Sequence, residues 1–484
     1  MTLFIIFAYL ILVLVVGAWS HRLFRGTGED YFVASRTIGP FLLLMSLFGT
    51  NMTAFSILGA SGEAYNRGIG VFGLMGSASA FVIPVVFFVV GTRVWALGKR
   101  HGFLTQAQFF RQRWDSDGLG LLLFVVLVAL VVPYLLIGIM GGGITFHQMT
   151  DGWVPEWVGG LIISGVVLLY VCYGGLRGTA WANAFQTLVF MTLGAVAFYV
   201  IVGKMGGLAG AMDRVSQVHP ELLIRGEGIH PINWLTYTCI PLSAGMFPHI
   251  FMHWMTAKSA QSFRWPLILY PICMIVVWVP SVVLGVLGHV NFSDLQGPAA
   301  NSVLVRLIDL HAPGILAGLL AAGVLAAVMS SLDSQVLAIG TMFTQDIVRH
   351  YGFHDQMSEK QQVFYGRLFV VGILAVAYVF SLISNRSIFG LAVWSFTGFA
   401  ALFPVMVAAV FWKRSTKAGA FAAVVSVALL WVYFFVQGWQ MPGYTVGGTG
   451  MLPVAVMLGV SSVVLVGVSW FTRPPHKDVI DRFF

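Results

Sequence analysis

The chain has 484 residues, of which 58% are hydrophobic and 9% charged, with a mean hydropathy of +0.88. A water-soluble domain carries roughly a quarter charged residues, so the composition excludes a soluble enzyme or binding module and reads as an integral membrane protein. The net charge of +8 does not point to nucleic acid, because the basic residues sit in short loops between apolar runs, where topology determinants belong.

Apolar runs recur from end to end, and each is long enough to cross a bilayer. In chain order they are 2–20, 40–60, 70–97, 117–148, 157–175, 178–203, 232–255, 265–290, 314–346, 366–384, 387–411, 415–436 and 450–472. They predict one all-α polytopic domain, 1–484, of about thirteen transmembrane helices, with no stretch left for a soluble domain. Spans this long have no room for the short alternating strands of a barrel. No basic residue precedes run 2–20, and Arg22 and Arg25 follow it, so it reads as a retained helix and not a cleaved leader. Cys172, Cys239 and Cys273 fall in or beside spans, without the paired spacing of a disulfide framework or metal centre.

Alternate loops differ in charge. Of the 26 Lys and Arg residues, only Arg67, Lys204, Arg214, Arg225, Arg306 and Arg386 fall on one side. That bias puts the N-terminus outside and the C-terminus in the cytoplasm of a multi-pass protein of the cell inner (plasma) membrane. The two longest outside loops, about 204–231 and 291–313, hold amphipathic pieces such as 302–310. They have two readings, caps over the outer mouth or ordinary solvated connections.

Three spans carry polar residues at membrane depth. The second is interrupted at Gly49-Thr50-Asn51-Met52-Thr53, and the seventh at Pro241-Leu242-Ser243-Ala244-Gly245-Met246-Phe247-Pro248-His249. Proline removes an amide donor and clashes with the preceding turn. Free carbonyls and amides are tolerated in the bilayer only where they line a cavity or bind something. Matching breaks in two halves are the sequence mark of an inverted-repeat transporter. The ninth span holds Ser330-Ser331-Leu332-Asp333-Ser334-Gln335. Hydroxyls there, set beside the Gly49–Met52 carbonyls, form an oxygen cage suited to a hard cation such as sodium. Packing through small residues is the plainer reading of two serines, but an intramembrane carboxylate such as Asp333 is costly and marks function. It is open to three roles: neutralising the cation from behind its ligands, carrying a proton, or pairing with a polar neighbour.

At these residues the chain resembles the sodium–solute symporter family, with its proline, pantothenate, monocarboxylate and sugar branches. The likeness runs through DYFVASRTIGP before the second span, YGGLRGTAWANAFQ entering the sixth, GMFPHIFMHWMTAKS in the seventh and AAVMSSLDSQ in the ninth. It implies a LeuT-type 5+5 inverted repeat, 40–203 and 232–411, with one extra N-terminal helix (2–20) and two extra C-terminal helices (415–472). It implies a sodium site formed by the carbonyls of Gly49, Met52 and Ala327 and the hydroxyls of Ser330 and Ser331. It also implies a substrate site between the broken helices, drawing on Asn51, Thr53, Ser56, Phe247, His249, Trp254 and Trp394. Asn51 stands where proline carriers have aspartate and sugar carriers asparagine. Asn183 stands where many members have an aspartate, which puts a second sodium site in doubt and leaves Asp333 to take over part of that charge.

Pro248-His249-Ile250 is similar to the proline, pantothenate and monocarboxylate branches. Helix N-termini and a few hydroxyls suffice to hold a carboxylate. His249 has two readings, a substrate contact or a structural hydrogen bond at the break. His253 lies one turn further on, a spacing that also occurs in metal sites, but no other ligand cluster joins it. Trp181, Trp234, Trp254, Trp265 and Trp278 lie near span ends and read as interfacial anchors.

The expectation is therefore a sodium-coupled importer of a small organic solute, a monocarboxylate, amino acid or pantothenate-like anion. Its partners are that solute, sodium and the bilayer. It needs no enzymatic cofactor and binds no nucleic acid. The chain has no nucleotide loop, metalloprotease motif or nucleophile elbow, so it is not an enzyme. The competing readings are a solute-sensing membrane domain acting with a separate signalling partner, a proton-coupled symporter, and a passive channel.

Overall fold

In lipid, backbone amides and carbonyls have no water to bond, and this chain satisfies them with helices. The computed structural model describes residues 2–20, 36–225, 229–352, 359–438, 441 and 443–484. Among these the β pairing is a single isolated bridge between Ile38 and Ala257. Asp30–Ser35 of the DYFVASRTIGP motif, Arg22 and Arg25 lie outside the described residues, as do the side chains of 173–178 in the sixth-span motif.

The elements in order are α1 (Thr2–Ser20), α2 (Pro40–Asn51), α3 (Phe55–Arg67), α4 (Phe72–His101), α5 (Gln106–Trp114), α6 (Asp117–Met149), α7 (Glu156–Lys204), α8 (Gly207–Val218), α9 (Pro231–Tyr237), α10 (Pro248–Thr256), α11 (Arg264–Leu287), α12 (Val303–His311), α13 (Gly314–Tyr351), α14 (Glu359–Ile383), α15 (Ile388–Phe411), α16 (Lys417–Gly438), α17 (Pro453–Phe471) and α18 (Lys477–Phe483). Nine helices among the described residues are long and apolar enough to cross a membrane, and the bent pair α2–α3 counts as a tenth. The other expected spans are shorter or interrupted: Thr2–Val16, Glu156–Cys172 and the stretch 231–256. That last stretch splits into α9, a 3-10 turn at Ile240–Gly245 and α10, because Pro231, Pro241 and Pro248 each start a new segment. The fifth and sixth expected spans are joined by helical backbone through 176–177, where the sequence reading placed a loop.

The helix α13 forms the centre. It packs on α7, α6, α1, α10 and α2, and nearly every side chain from Ala317 to Met342 is buried. Buried polar residues on so enclosed a helix must find partners inside the protein, and the site below is built from them.

Two of the expected anchors are corrected. Trp181, Trp234 and Trp265 are exposed, but Trp254 and Trp278 are buried. Trp278 meets Phe55 edge-on at 5.4 Å, and Trp254 packs on Phe87. Position near a span end does not tell which side of the helix a residue occupies.

The two helix ends of the bundle are closed differently. On one face, the tail face, Thr105 caps α5 by accepting from the Gln108 amide (3.1 Å) and donates to Asp346 Oδ2 (2.7 Å). Arg111 reaches Asp346 Oδ1 at 3.4 Å and Asp117 Oδ1 at 3.4 Å, tying α5 and α6 to the end of α13. The C-terminal α18 tucks beneath α5 and stacks Phe483 on Phe103. Arg113, fully buried, donates to the carbonyls of Ala409 (2.9 Å) and Trp412 (3.0 Å) and to the Ser415 hydroxyl (3.0 Å). Burial pushes its guanidinium down to about 10, so it stays charged at neutral pH and satisfies the last carbonyls of α15. Arg113→Met keeps the volume but strips these bonds. The expected result is a loss of about 2–4 kcal/mol, read as a lower melting temperature in detergent; an unchanged melting temperature would contradict this role.

On the opposite face, α8, α12 and the 3-10 turn Gly297–Ser302 pack over the ends of the membrane helices. The Ile69 amide donates to Leu222 O (2.8 Å). The two long loops thus lie over one end of the bundle, here called the capped face.

Candidate functional site

The site starts from the break between α2 and α3, which meet at 59°. Met52 leaves the helix in an extended conformation (φ −91°, ψ 97°). Thr53 restarts the chain: its hydroxyl accepts from the Phe55 amide (2.9 Å) and its carbonyl from the Ser56 amide (3.0 Å). The last carbonyls of α2 therefore have no next turn to bond. One of them, Gly49 O, accepts from Ser330 Oγ at 2.9 Å, and the same hydroxyl lies 3.1 Å from Ala327 O. Three oxygens thus converge at mid-bundle, two from α13 and one from the broken helix. The approach needs glycine: a Cβ on Gly49 would lie 2.0 Å from Thr187 Oγ1 and 3.2 Å from Asn183 O.

Of the other two expected sodium ligands, the Ser331 hydroxyl is engaged locally, donating to Val328 O of its own helix (3.3 Å), and the Met52 carbonyl stands at the break itself, on the residue that leaves the helix. The oxygen donors at Gly49, Ala327 and Ser330 fit a hard, weakly demanding cation. Among the described residues no cluster of three or more His, Cys, Asp or Glu side chains is suited to a transition metal.

One turn along α13 lies a second polar group. Asp333, fully buried, accepts from Tyr170 OH (2.8 Å) and from Ser334 Oγ (3.1 Å). Ser334 also accepts from Asn183 Nδ2 (2.7 Å) and sits 3.3 Å from His253 Nε2. Asn183 Oδ1 and His253 Nδ1 are buried without a hydrogen-bond partner. Asp333 therefore has hydroxyl neighbours, as one of its three expected roles required. Asn183, at the position of the family's aspartate, joins the same network through Ser334.

The expected substrate residues separate into groups. Asn51 donates to Tyr270 OH (2.5 Å). Phe247 and His249 stack at 5.1 Å within an aromatic cluster that includes Tyr134 and Phe396, and both ring nitrogens of His249 lack a partner. The structural hydrogen bond at the break, one of the two readings of His249, is not made. Thr53 and Ser56 serve the turn itself. Trp254 is not part of this group, since it points from α10 onto Gly91 and Phe87 of α4. Trp394 stands in the wall of a vestibule on the capped face, with about 2030 Å³ of empty space counting its open mouth. The vestibule floor connects to the aromatic cluster: Phe389 lies 5.0 Å from Phe55, which lies 5.4 Å from Phe396.

Sequence reasoning missed Tyr170, Tyr134 and Tyr270 as partners. Each is an aromatic residue inside an apolar run, and nothing in such a run separates a hydrogen-bonding tyrosine from a packing one. Ser334 was visible only as part of its motif.

The model of the sodium:solute symporter family matches residues 31–426. The high-affinity proline transporter PutP of Bacillus subtilis (strain 168) is 25% identical over 466 residues, covering 94% of this chain and 95% of that protein. The sodium/proline symporter of Escherichia coli (strain K12) is 24% identical, covering 89% and 88%. Among solved structures, the substrate-bound outward-open state of a Na+-coupled sialic acid symporter superposes with a TM-score of 0.78 at 17% identity, covering 98% of this chain and 99% of that one. A nucleobase-cation-symport-1 family transporter in a closed conformation gives 0.62 at 13% identity, covering 94% and 98%. The fold is thus the LeuT-type helical fold, shared with both of these transporters.

Proposed function

Because the chain belongs to the sodium:solute symporter family, we propose that it imports a small carboxylate (a monocarboxylate, an amino acid or a pantothenate-like anion) by alternating access. It is a sodium-coupled symporter of small solutes and not an enzyme, and sodium is its coupling ion. The observation that carries the finer reading is the Ser330 hydroxyl set between the Gly49 and Ala327 carbonyls. A cation there links the broken helix to α13, so its arrival and loss change how the two halves pack. Met52 O and Ser331 Oγ complete the cage when Ser331 turns from Val328 toward the break. Asp333 supplies negative charge from behind, and Asn183 shares its network.

The solute binds between α2–α3 and α9–α10, where Phe247, His249, Asn51, Thr53 and Ser56 lie; Trp394 guards the approach. The repeats are 40–203 and 232–411. The loop charge bias supports an orientation with the vestibule and N-terminus outside and the tail face in the cytoplasm, so the protein is drawn here open toward the outside and locked within by the Thr105–Asp346–Arg111 network. A second reading, proton coupling, rests on Asp333, a buried carboxylate that accepts from the Tyr170 and Ser334 hydroxyls.

Thermal stabilisation of the purified protein tests both. Pyruvate, lactate, pantothenate, proline, urea and glucose are each added in sodium and in potassium. A ligand at a hundredfold excess over its Kd adds about 2.7 kcal/mol. The expected result is stabilisation by a carboxylate in sodium only. Stabilisation that ignores sodium and follows pH moves the coupling to a proton; a sugar or urea as the stabilising solute removes the carboxylate reading.

A further inference from the structure

The vestibule is not electrically neutral. Among the described residues, its wall carries two guanidinium groups, Arg67 and Arg386, and the imidazole of His230, against one carboxylate, Glu63. Glu63 is already engaged: Arg67 Nη1 donates to its Oε1 at 3.1 Å, and Arg67 Nη2 lies 3.5 Å from Asn233 Oδ1. The balance of the described lining is therefore positive. A concave, low-dielectric chamber focuses such a field and enriches ions of the opposite sign.

Arg386 occupies the point where a carboxylate is best received. It sits just before α15, a helix of 24 residues whose first turn opens on the vestibule, with Ser387 accepting from the Gly390 amide at 3.0 Å. Helix N-termini attract anions through free amides and the macrodipole. The guanidinium donates to Gly438 O at 2.7 Å, which holds it against the end of α16. Burial lowers it from its ordinary value, and a bound anion offsets that cost. Phe389, Val393 and Trp394 follow on the next turns of α15 and offer an apolar wall to the rest of a small organic acid. From Phe389 the aromatic contacts through Phe55 and Phe396 lead to Phe247 and His249.

We propose that the vestibule is an anion-docking chamber in which Arg386 and the first turn of α15 receive the carboxylate of an arriving solute before it moves inward to the site between the broken helices. This rests on the proposed import of a carboxylate for its physiological use, but the chamber is testable without knowing the solute.

The first measurement is the rate of thiol modification at Asn385→Cys, an exposed vestibule position, with Cys172, Cys239 and Cys273 replaced by serine. The probes are the anionic sulfonatoethyl and the cationic trimethylammonioethyl methanethiosulfonates. The expected anion-to-cation rate ratio, relative to a free thiol, is raised about tenfold and falls toward one in Arg386→Gln, while Arg386→Lys retains most of it. The second measurement is uptake of labelled pyruvate and proline into proteoliposomes. Arg386→Gln is expected to raise the KM for pyruvate about tenfold with little change in kcat or in the KM for sodium, more so at low ionic strength, and to change the KM for zwitterionic proline less. A sodium-dependent thermal shift equal to the parent's checks that the variant is folded. A rate ratio near one in the parent, or one unmoved by Arg386→Gln, overturns the docking chamber. If neither pyruvate nor proline is carried but the ratio behaves as expected, the chamber stands and the carboxylate reading of transport is what fails.

Discussion

Replacing Ser330 with alanine is expected to raise the sodium concentration for half-maximal uptake about tenfold or more, a loss of about 1.4 kcal/mol or more of sodium binding. The reason is geometric. Ser330 Oγ lies within 3.1 Å of both the Gly49 and Ala327 carbonyls. The variant keeps both carbonyls but removes the hydroxyl between them, so a cation there loses a neutral oxygen ligand. Without sodium the same change costs only a buried hydrogen bond, about 1 kcal/mol, so the fold survives and transport at saturating sodium stays close to that of the parent. Ser331→Ala is the informative partner. Its hydroxyl bonds within its own helix, so a sodium defect of similar size there means that Ser331 rotates into the cage on ion binding. The measurement is sodium-dependent uptake into proteoliposomes at fixed solute. A Ser330→Ala protein with the parent's sodium affinity would falsify the assigned site.

The second large effect is expected at Gly49. An alanine Cβ there falls 2.0 Å from Thr187 Oγ1 and 3.4 Å from Thr187 Cβ. Thr187 is also fixed by bonds to Met45 O (3.0 Å) and Asn183 O (2.6 Å). Overpacking of this kind costs about 1–3 kcal/mol, and here it also separates α2 from α7 and shifts the Gly49 carbonyl away from Ser330. Gly49→Ala is therefore expected to lower both the melting temperature and the sodium affinity. Adding Thr187→Ala removes the nearest obstacle and should recover much of the melting temperature. Asn183 O, a backbone atom 3.2 Å away, limits that recovery. A double variant no more stable than Gly49→Ala alone would place the strain elsewhere.

Both predictions concern residues whose types were readable in the sequence but whose consequences were not. Small and polar residues at membrane depth (Gly49–Thr53, Pro241–His249, Ser330–Asp333) stand out in a chain where 58% of residues are hydrophobic, because unsatisfied polar groups are costly in lipid. Local chemistry also set the breaks: proline removes an amide donor and weakens the turn before it, and α9, the turn at Ile240–Gly245 and α10 each begin at one or beside one.

What only the tertiary structure decided was partnership and direction. The sequence could not tell that Ser330 meets Gly49 across 281 positions while its neighbour Ser331 turns back on its own helix. It could not tell that Trp254 is core packing and Trp394 a vestibule wall, since both are tryptophans close to span ends. Nor could it show that Tyr170 supports Asp333 or that Arg386 lines the vestibule. Hydropathy and helix breakers are properties of a few adjacent residues and survive in one dimension. Which face of a helix meets which neighbour depends on rotation about its axis, fixed only when the close approach of glycine-bearing surfaces such as Gly49 on Thr187 locks the helices together.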